Sequence, residues 1–263
     1  MKPDAVQPAI ELDGVVKRFG GKEVLRGVDL RVPPGEITVL LGPSGAGKTV
    51  TFSHVVGLLQ PTRGRVTVEG RDLGWLSDEE LNEIRRRMAV VVQGTLPFSC
   101  GLFFSLDVYE NVAFPLRQRT RMSEDEISET VLGYLGMVGL RDRADAMPDQ
   151  LSAGMAKRVA IARALALEAP IVIIDDFDSG IDGVRLSLLC EILAESQRAA
   201  HSTMLVSTHN MSAARRLADR VAVIHDGRVA ASGPADEVFE SAEPLVHQLV
   251  TGGTTGPIGL RDI

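Results

Sequence analysis

Two short stretches of this 263-residue chain carry residue types suited to phosphate chemistry. The first is "GPSGAGKT", residues 42–49, which follows the apolar run "EITVLL" and leads into the helical pattern "TVTFSHVVGLL". It matches G-x-x-x-x-G-K-[ST] in the strand-to-helix context that the motif requires. Gly42, Gly45 and Gly47 let the backbone curl around Pro43, Ser44 and Ala46, so that successive amides face phosphate oxygens. The positive end of the following helix adds to the field. Lys48 is placed to reach the β and γ phosphates of a nucleotide, and Thr49 offers a hydroxyl to Mg²⁺.

The second stretch is "IVIIDDFDSGID", residues 171–182. Four apolar residues before Asp175 and Asp176 read as a buried strand whose tip delivers charge. Alone, it reads equally well as a strand ending in a solvated turn. Beside a phosphate-binding loop, Asp175 stands where a nucleotide site places the carboxylate that holds the metal, usually through water, opposite Thr49.

These residues need a sheet to position them. Strand signals ("ITVLLG", "RVTVEG", "MAVVVQ", "IVIIDD", "TMLVST", "RVAVIH") alternate with helical stretches, the pattern of an α/β protein on a mainly parallel sheet. Capping boxes announce two helices, Ser77 with Glu80 and Ser123 with Glu126. Asp226-Gly227, between "RVAVIH" and "RVAAS", predicts a hairpin and so an antiparallel edge. Between Gln93 and about Arg163 the strand signals give way to helices, which predicts an inserted helical subdomain at about 93–163. The tail "TGGTTGPIGLRDI", residues 251–263, is expected to be mobile.

Composition excludes some classes. Hydrophobic content of 44% supports a full core, so disorder is not expected to dominate. A net charge of −7 opposes a sequence-independent grip on nucleic acid, which needs a basic face. The N-terminal residues lack the apolar core of a secretory signal, so the chain is expected to stay in the cytosol. Its most apolar region, 159–174, is broken by Arg163, Glu168 and Pro170, short of the roughly 20 residues a membrane helix needs. Cys100 and Cys190, far apart, are expected to be idle, as are His54, His201, His225 and His247.

With "LSAGM" at 151–155 and "STH" ending at His209, the order of motifs resembles the ATP-binding subunit of ABC transporters over about residues 10–241. The resemblance implies a P-loop (RecA-like) core at about 1–92 and 164–250, with an antiparallel β edge subdomain and the helical insertion. It implies adenine stacking on Phe19, and it makes Gln93 the glutamine that senses Mg²⁺ and the attacking water. It makes His209 the switch histidine and Asp182 a relay across a dimer. Ser152, Ala153 and Gly154, opening the helix "AGMAKRVAIARALAL", match the signature that completes the ATP site of a second copy, so a homodimer is expected. A narrower likeness links "GLFFSLDVYENVAFPLRQRT", Met155, "DSGID" and "GPIG" to the ATPases of Mce-type lipid transport systems.

The expected function is therefore an ATPase motor, peripheral on the cytoplasmic face of the inner membrane through its permease. Alternatives are a slow-hydrolysing nucleotide switch and a soluble ABC ATPase that moves nothing. Two departures matter. Asp176 stands where most active relatives have Glu, retracting the carboxylate by about 1.5 Å, which predicts slow hydrolysis. Ala153 replaces the first glycine of the signature, tolerable only if its φ is negative. The retained Gly154 is read as keeping the tighter phosphate contact.

Overall fold

A computed structural model describes residues 7–92 and 101–258. Among the described residues ten strands form two sheets. β3 (Ile37–Leu41), β6 (Met88–Val91), β7 (Ile171–Ile174), β8 (Thr203–Thr208), β9 (Arg220–His225) and β10 (Arg228–Pro234) make a six-stranded sheet, ordered β10-β9-β3-β8-β7-β6. Every pairing in it is parallel except that of β9 with β10. β1 (Ile10–Phe19), β2 (Lys22–Val32), β4 (Arg63–Val68) and β5 (Arg71–Asp72) make an antiparallel sheet, ordered β2-β1-β4-β5.

The continuous apolar runs of the parallel strands follow from cover on both faces. In β7, Val172 and Ile174 join the core shared with the helices, whereas Ile171 and Ile173 join the core beneath the antiparallel sheet. β3 divides the same way, Val39 and Leu41 on one side and Leu40 on the other. The period of two therefore builds two cores from one strand.

Nine helices of four residues or more accompany these strands among the described residues: α1 (Lys48–Val55), α2 (Asp78–Arg86), α3 (Val108–Arg119), α4 (Glu124–Met137), α5 (Ala153–Leu165), α6 (Gly183–Ala200), α7 (Met211–Leu217), α8 (Ala235–Phe239) and α9 (Pro244–Thr251). Both predicted capping boxes close, Ser77 with Glu80 and Ser123 with Glu126. α3, α4 and α5 pack on one another as a helical unit, while α5 also packs on β6 and β7. That double packing ties the helical unit to the sheet edge.

Two expectations need correction. "RVTVEG" is β4 of the antiparallel sheet, not a member of the parallel set. The longest strands, β1 and β2, were absent from the strand signals because register breaks between Leu12 and Val15 interrupt their alternation, with Gly14 at φ 57° inside the break. At the start of the tail, buried Gln248 donates from Nε2 to the carbonyls of Gly253 and Ile258, and its Oε1 accepts from the Ile258 amide.

Candidate functional site

β3 aims the glycine-rich loop at the start of α1. Gly42 follows the strand directly and could not carry a side chain, since a Cβ would lie 2.2 Å from the Ile224 carbonyl oxygen of β9. Gly47, at φ 108°, sits in left-handed backbone as the N-cap of α1. No acidic residue occupies the first turn of α1, so its free amides and helix dipole remain available to an anion. The loop is braced from outside its own sequence. The Asp226-Gly227 turn, both residues left-handed as a two-residue hairpin requires, donates the Gly227 amide to the Ala46 carbonyl at 3.1 Å.

Lys48 is nine-tenths buried and donates from Nζ to the carbonyls of Gly42 (2.7 Å) and Pro43 (2.9 Å). Burial pushes its ammonium below the ordinary lysine value, against the pull of Asp176, Asp175 and Asp178. Thr49 is exposed one residue further on. Ser44, Gly45, Gly47, Lys48 and Thr49 line one side of a depression of about 320 Å³, and Asp175 and Asp176 line the other. Elements more than 120 residues apart in the chain thus meet at one hollow.

The acidic side is built by two adjacent strands. β7 and β8 run in register, Ile174 beside Val206, so Asp175 and Ser207 follow at the same level. The Ser207 hydroxyl donates to Asp175 Oδ1 at 2.6 Å and accepts from the Asp176 amide at 2.8 Å. Asp175 is 1% exposed, and its Oδ2 has no hydrogen-bond partner among the described residues. A buried carboxylate oxygen without a donor is costly unless something cationic or hydrated meets it. The donor set of Asp175 and the Thr49 hydroxyl on one hollow fits a hydrated Mg²⁺.

Asp176 lies in left-handed backbone, φ 53°. Its Oδ1 is 3.4 Å from Nδ1 of His209, which follows β8. Sequence reasoning missed three residues here. Ser207 links the two aspartates. Lys157 of α5, 1% exposed, donates from Nζ to the Asp175 carbonyl at 3.2 Å, so the signature helix touches the tip of β7. Asp178, 6% exposed, also faces His209. Ser207 was visible beside His209 in "STH", and Asp178 opens the "DSGID" stretch without being given a role, whereas nothing in the pattern marks Lys157.

The remaining site residues lie elsewhere. Phe19 ends β1 with its ring 43% exposed and Lys17 Nζ 5.2 Å above the ring, so it is not a core phenylalanine. It is not among the residues lining the depression. Ser152 caps α5, accepting from the Met155 amide, and neither it nor Ala153 or Gly154 lines the depression. Ala153 opens α5 and is not in left-handed backbone. A Cβ at Gly154 would lie 2.3 Å from the Gly180 carbonyl oxygen, so its own chain also needs a glycine there. Asp182 caps α6 and pairs with Arg185. Gln93 and Cys100 lie outside the described residues. Cys190 is buried, its thiol pushed up to about 11 by burial.

A second hollow, about 400 Å³, opens where β6 meets the helical unit. Leu58, Met88, Val90, Phe103, Phe114 and Leu167 line it, with Arg85, Arg119 and Arg163 among them. Phe103 and Phe114 meet edge to face with centroids 5.4 Å apart, and the Arg163 guanidinium lies 5.8 Å from the Phe103 ring centroid. Fully buried Asn111 holds the aromatic loop in place. Its Oδ1 accepts from the Phe103 amide, and its Nδ2 donates to the carbonyls of Phe103, Leu106 and Asp107.

Comparison with known proteins agrees with this geometry. The chain is 38% identical over 254 residues to the probable ribonucleotide transport ATP-binding protein Mkl of Mycobacterium tuberculosis, covering 97% of this chain and 69% of that protein. It is 34% identical over 255 residues to the intermembrane phospholipid transport system ATP-binding protein MlaF of Haemophilus influenzae, covering 97% and 95%. For Escherichia coli MlaF the figures are 33% over 257 residues, covering 98% and 94%. Among solved structures, the dimeric post-hydrolysis state of the ATP-binding cassette MJ0796 bound to ADP and Pi superimposes with a TM-score of 0.77. It is 32% identical, covering 86% of this chain and 98% of that one. The ABC transporter family pattern matches residues 25–179, and with this architecture the chain belongs to the ABC transporter ATP-binding family.

Proposed function

We propose that this chain is the ATP-binding and ATP-hydrolysing motor subunit of an ABC transporter that moves lipids. The orphan Oδ2 of buried Asp175, a residue that lines the same hollow as Lys48 and Thr49, is the observation that carries the ATPase reading. The amides of residues 42–49 cradle the phosphates and Lys48 neutralises their terminal charge. Thr49, Asp175 and Gln93 would hold Mg²⁺, which supplies further neutralisation of the phosphate oxygens. Asp176 orients or deprotonates the attacking water, and His209 bonds the γ phosphate. Phe19 stacks on adenine.

The α5 terminus built by Ser152, Ala153 and Gly154 closes over the nucleotide of a second copy, so two chains sandwich two ATPs. The apolar hollow around Phe103 and Phe114 receives a helix of the permease, the only route by which the chain meets the membrane. Among the described residues no helix is long and apolar enough to cross a bilayer. The likeness to MlaF along nearly its whole length supports a lipid cargo, with the inner membrane as the working site.

Purifying the complex from membranes and identifying its lipids by mass spectrometry tests the cargo, and phospholipid should raise its ATPase rate. Stimulation by ribonucleotides alone would overturn it. A chain that ignores millimolar magnesium and ATP would overturn the whole reading.

A slow nucleotide switch is favoured by one observation: the short Asp176 carboxylate already reaches toward His209. Replacing Asp176 with Glu separates the readings. Restored reach should raise turnover by up to about 100-fold, against a left-handed backbone that tolerates Asp better than Glu. An unchanged rate ends the retraction argument.

A further inference from the structure

Lys157 is a buried polar side chain for which the reading above has no use. It lies in α5, the helix that Ser152 caps, and is 1% exposed. Lysine is almost never enclosed to that degree unless its nitrogen has a partner. Here Nζ donates to the Asp175 carbonyl oxygen at 3.2 Å.

That carbonyl and the Asp176 amide belong to one peptide group, which is planar and turns as a unit. Its other end is also held: the Asp176 N–H donates to Ser207 Oγ at 2.8 Å. α5 and β8 therefore grip the same plane from opposite ends. The next peptide is fixed as well, because the Phe177 amide donates to the Ser207 carbonyl at 3.2 Å. Between these two held planes Asp176 stands at φ 53°, in left-handed backbone. A non-glycine residue keeps that conformation where its surroundings impose it. The direction of the Asp176 carboxylate follows from this backbone, and a displacement near 1 Å at a reacting group can cost about 100-fold in rate.

We propose that Lys157 is a positioning residue for hydrolysis: by holding the peptide between Asp175 and Asp176, it keeps the Asp176 carboxylate aimed at the attacking water. This rests on the ATP-hydrolysing reading above. The lysine stands in the signature helix, so the aim of the carboxylate is tied to where that helix sits.

The test uses the full chain with two variants. Lys157→Met removes the donor and keeps most of the side-chain volume, whereas Lys157→Arg keeps a donor. The Asp176 amide nitrogen sits in the peptide that Lys157 holds, so its magnetic resonance signal reports the bond without any need for activity. In Lys157→Met that signal should move. In parallel, kcat for MgATP should fall about tenfold with KM and nucleotide affinity within about twofold, as expected for lost aim rather than lost binding. Lys157→Arg should return the signal toward its native position and recover most of the lost rate. A Lys157→Met chain with native kcat, or with an unmoved Asp176 signal, overturns the proposal. So does one that loses ATP affinity or fails to fold, since the lysine would then serve binding or the core. A folded Lys157→Arg chain as slow as Lys157→Met overturns it too. A native chain that binds MgATP yet never releases phosphate, while Lys157→Met still moves the signal, would instead overturn the ATPase reading.

Discussion

The two sides of the nucleotide hollow are built on opposite plans. The phosphate cradle is eight consecutive residues acting mainly through backbone, and its glycines are shaped by close neighbours, Ile224 at Gly42 and Leu25 at Gly47. The acidic side is assembled from β7 and β8 with side chains that must bond one another, Asp175 to Ser207 and His209 toward Asp176 and Asp178. The first plan makes anion binding a nearly local property. The second makes hydrolysis depend on register between strands. Binding should therefore survive damage that abolishes turnover, while damage to the cradle weakens binding itself.

Asp176→Asn gives that contrast its strongest test. It removes the proposed base but keeps a residue type suited to left-handed backbone, so kcat should fall by about 10²- to 10⁴-fold, with nucleotide affinity kept in a fluorescent-nucleotide titration. Loss of affinity as well would show that the two sides are not separable.

Lys48→Ala should act on the other side. Removing a charge-assisted bond to phosphate should weaken ATP binding by about 10- to 100-fold, measured by calorimetry. The protein should stay folded, because the displaced Nζ bonds only loop carbonyls in the structure.

The smallest effect sharpens how local the cradle is. Gly227 lies outside the motif, at φ 71°, with no room for a Cβ, which would fall 2.3 Å from the Val24 carbonyl oxygen. Gly227→Ala should lower stability by about 1–3 kcal/mol in denaturant unfolding and weaken ATP binding only modestly, through the lost brace on Ala46. A full loss of binding would mean the cradle is held from outside more than from within.

Much of the fold was legible for a physical reason: the parallel strands are buried on both faces and so read as unbroken apolar runs. Capping boxes and the Asp226-Gly227 turn are local bonding patterns, and all three formed where their residues stand. β1 and β2 escaped because their alternation is cut by bulges, which only pairing reveals. In the tail, Gln248, ten residues before Ile258, supplies bonds that no composition rule anticipates.

By itself the sequence determined the phosphate loop, since its motif is contiguous and its chemistry is carried by backbone, lysine and threonine in register. It also marked Asp175 and Asp176 as the end of a buried strand. Only the tertiary structure decided what those carboxylates touch. Ser207, His209, Lys157 and Asp178 come from strand ends, a loop and a helix that share no spacing in the chain, and packing of β7 against β8 and α5 is what brings them within bonding distance. The same holds for Gly154, conspicuous within the signature but constrained by the Gly180 carbonyl of its own chain.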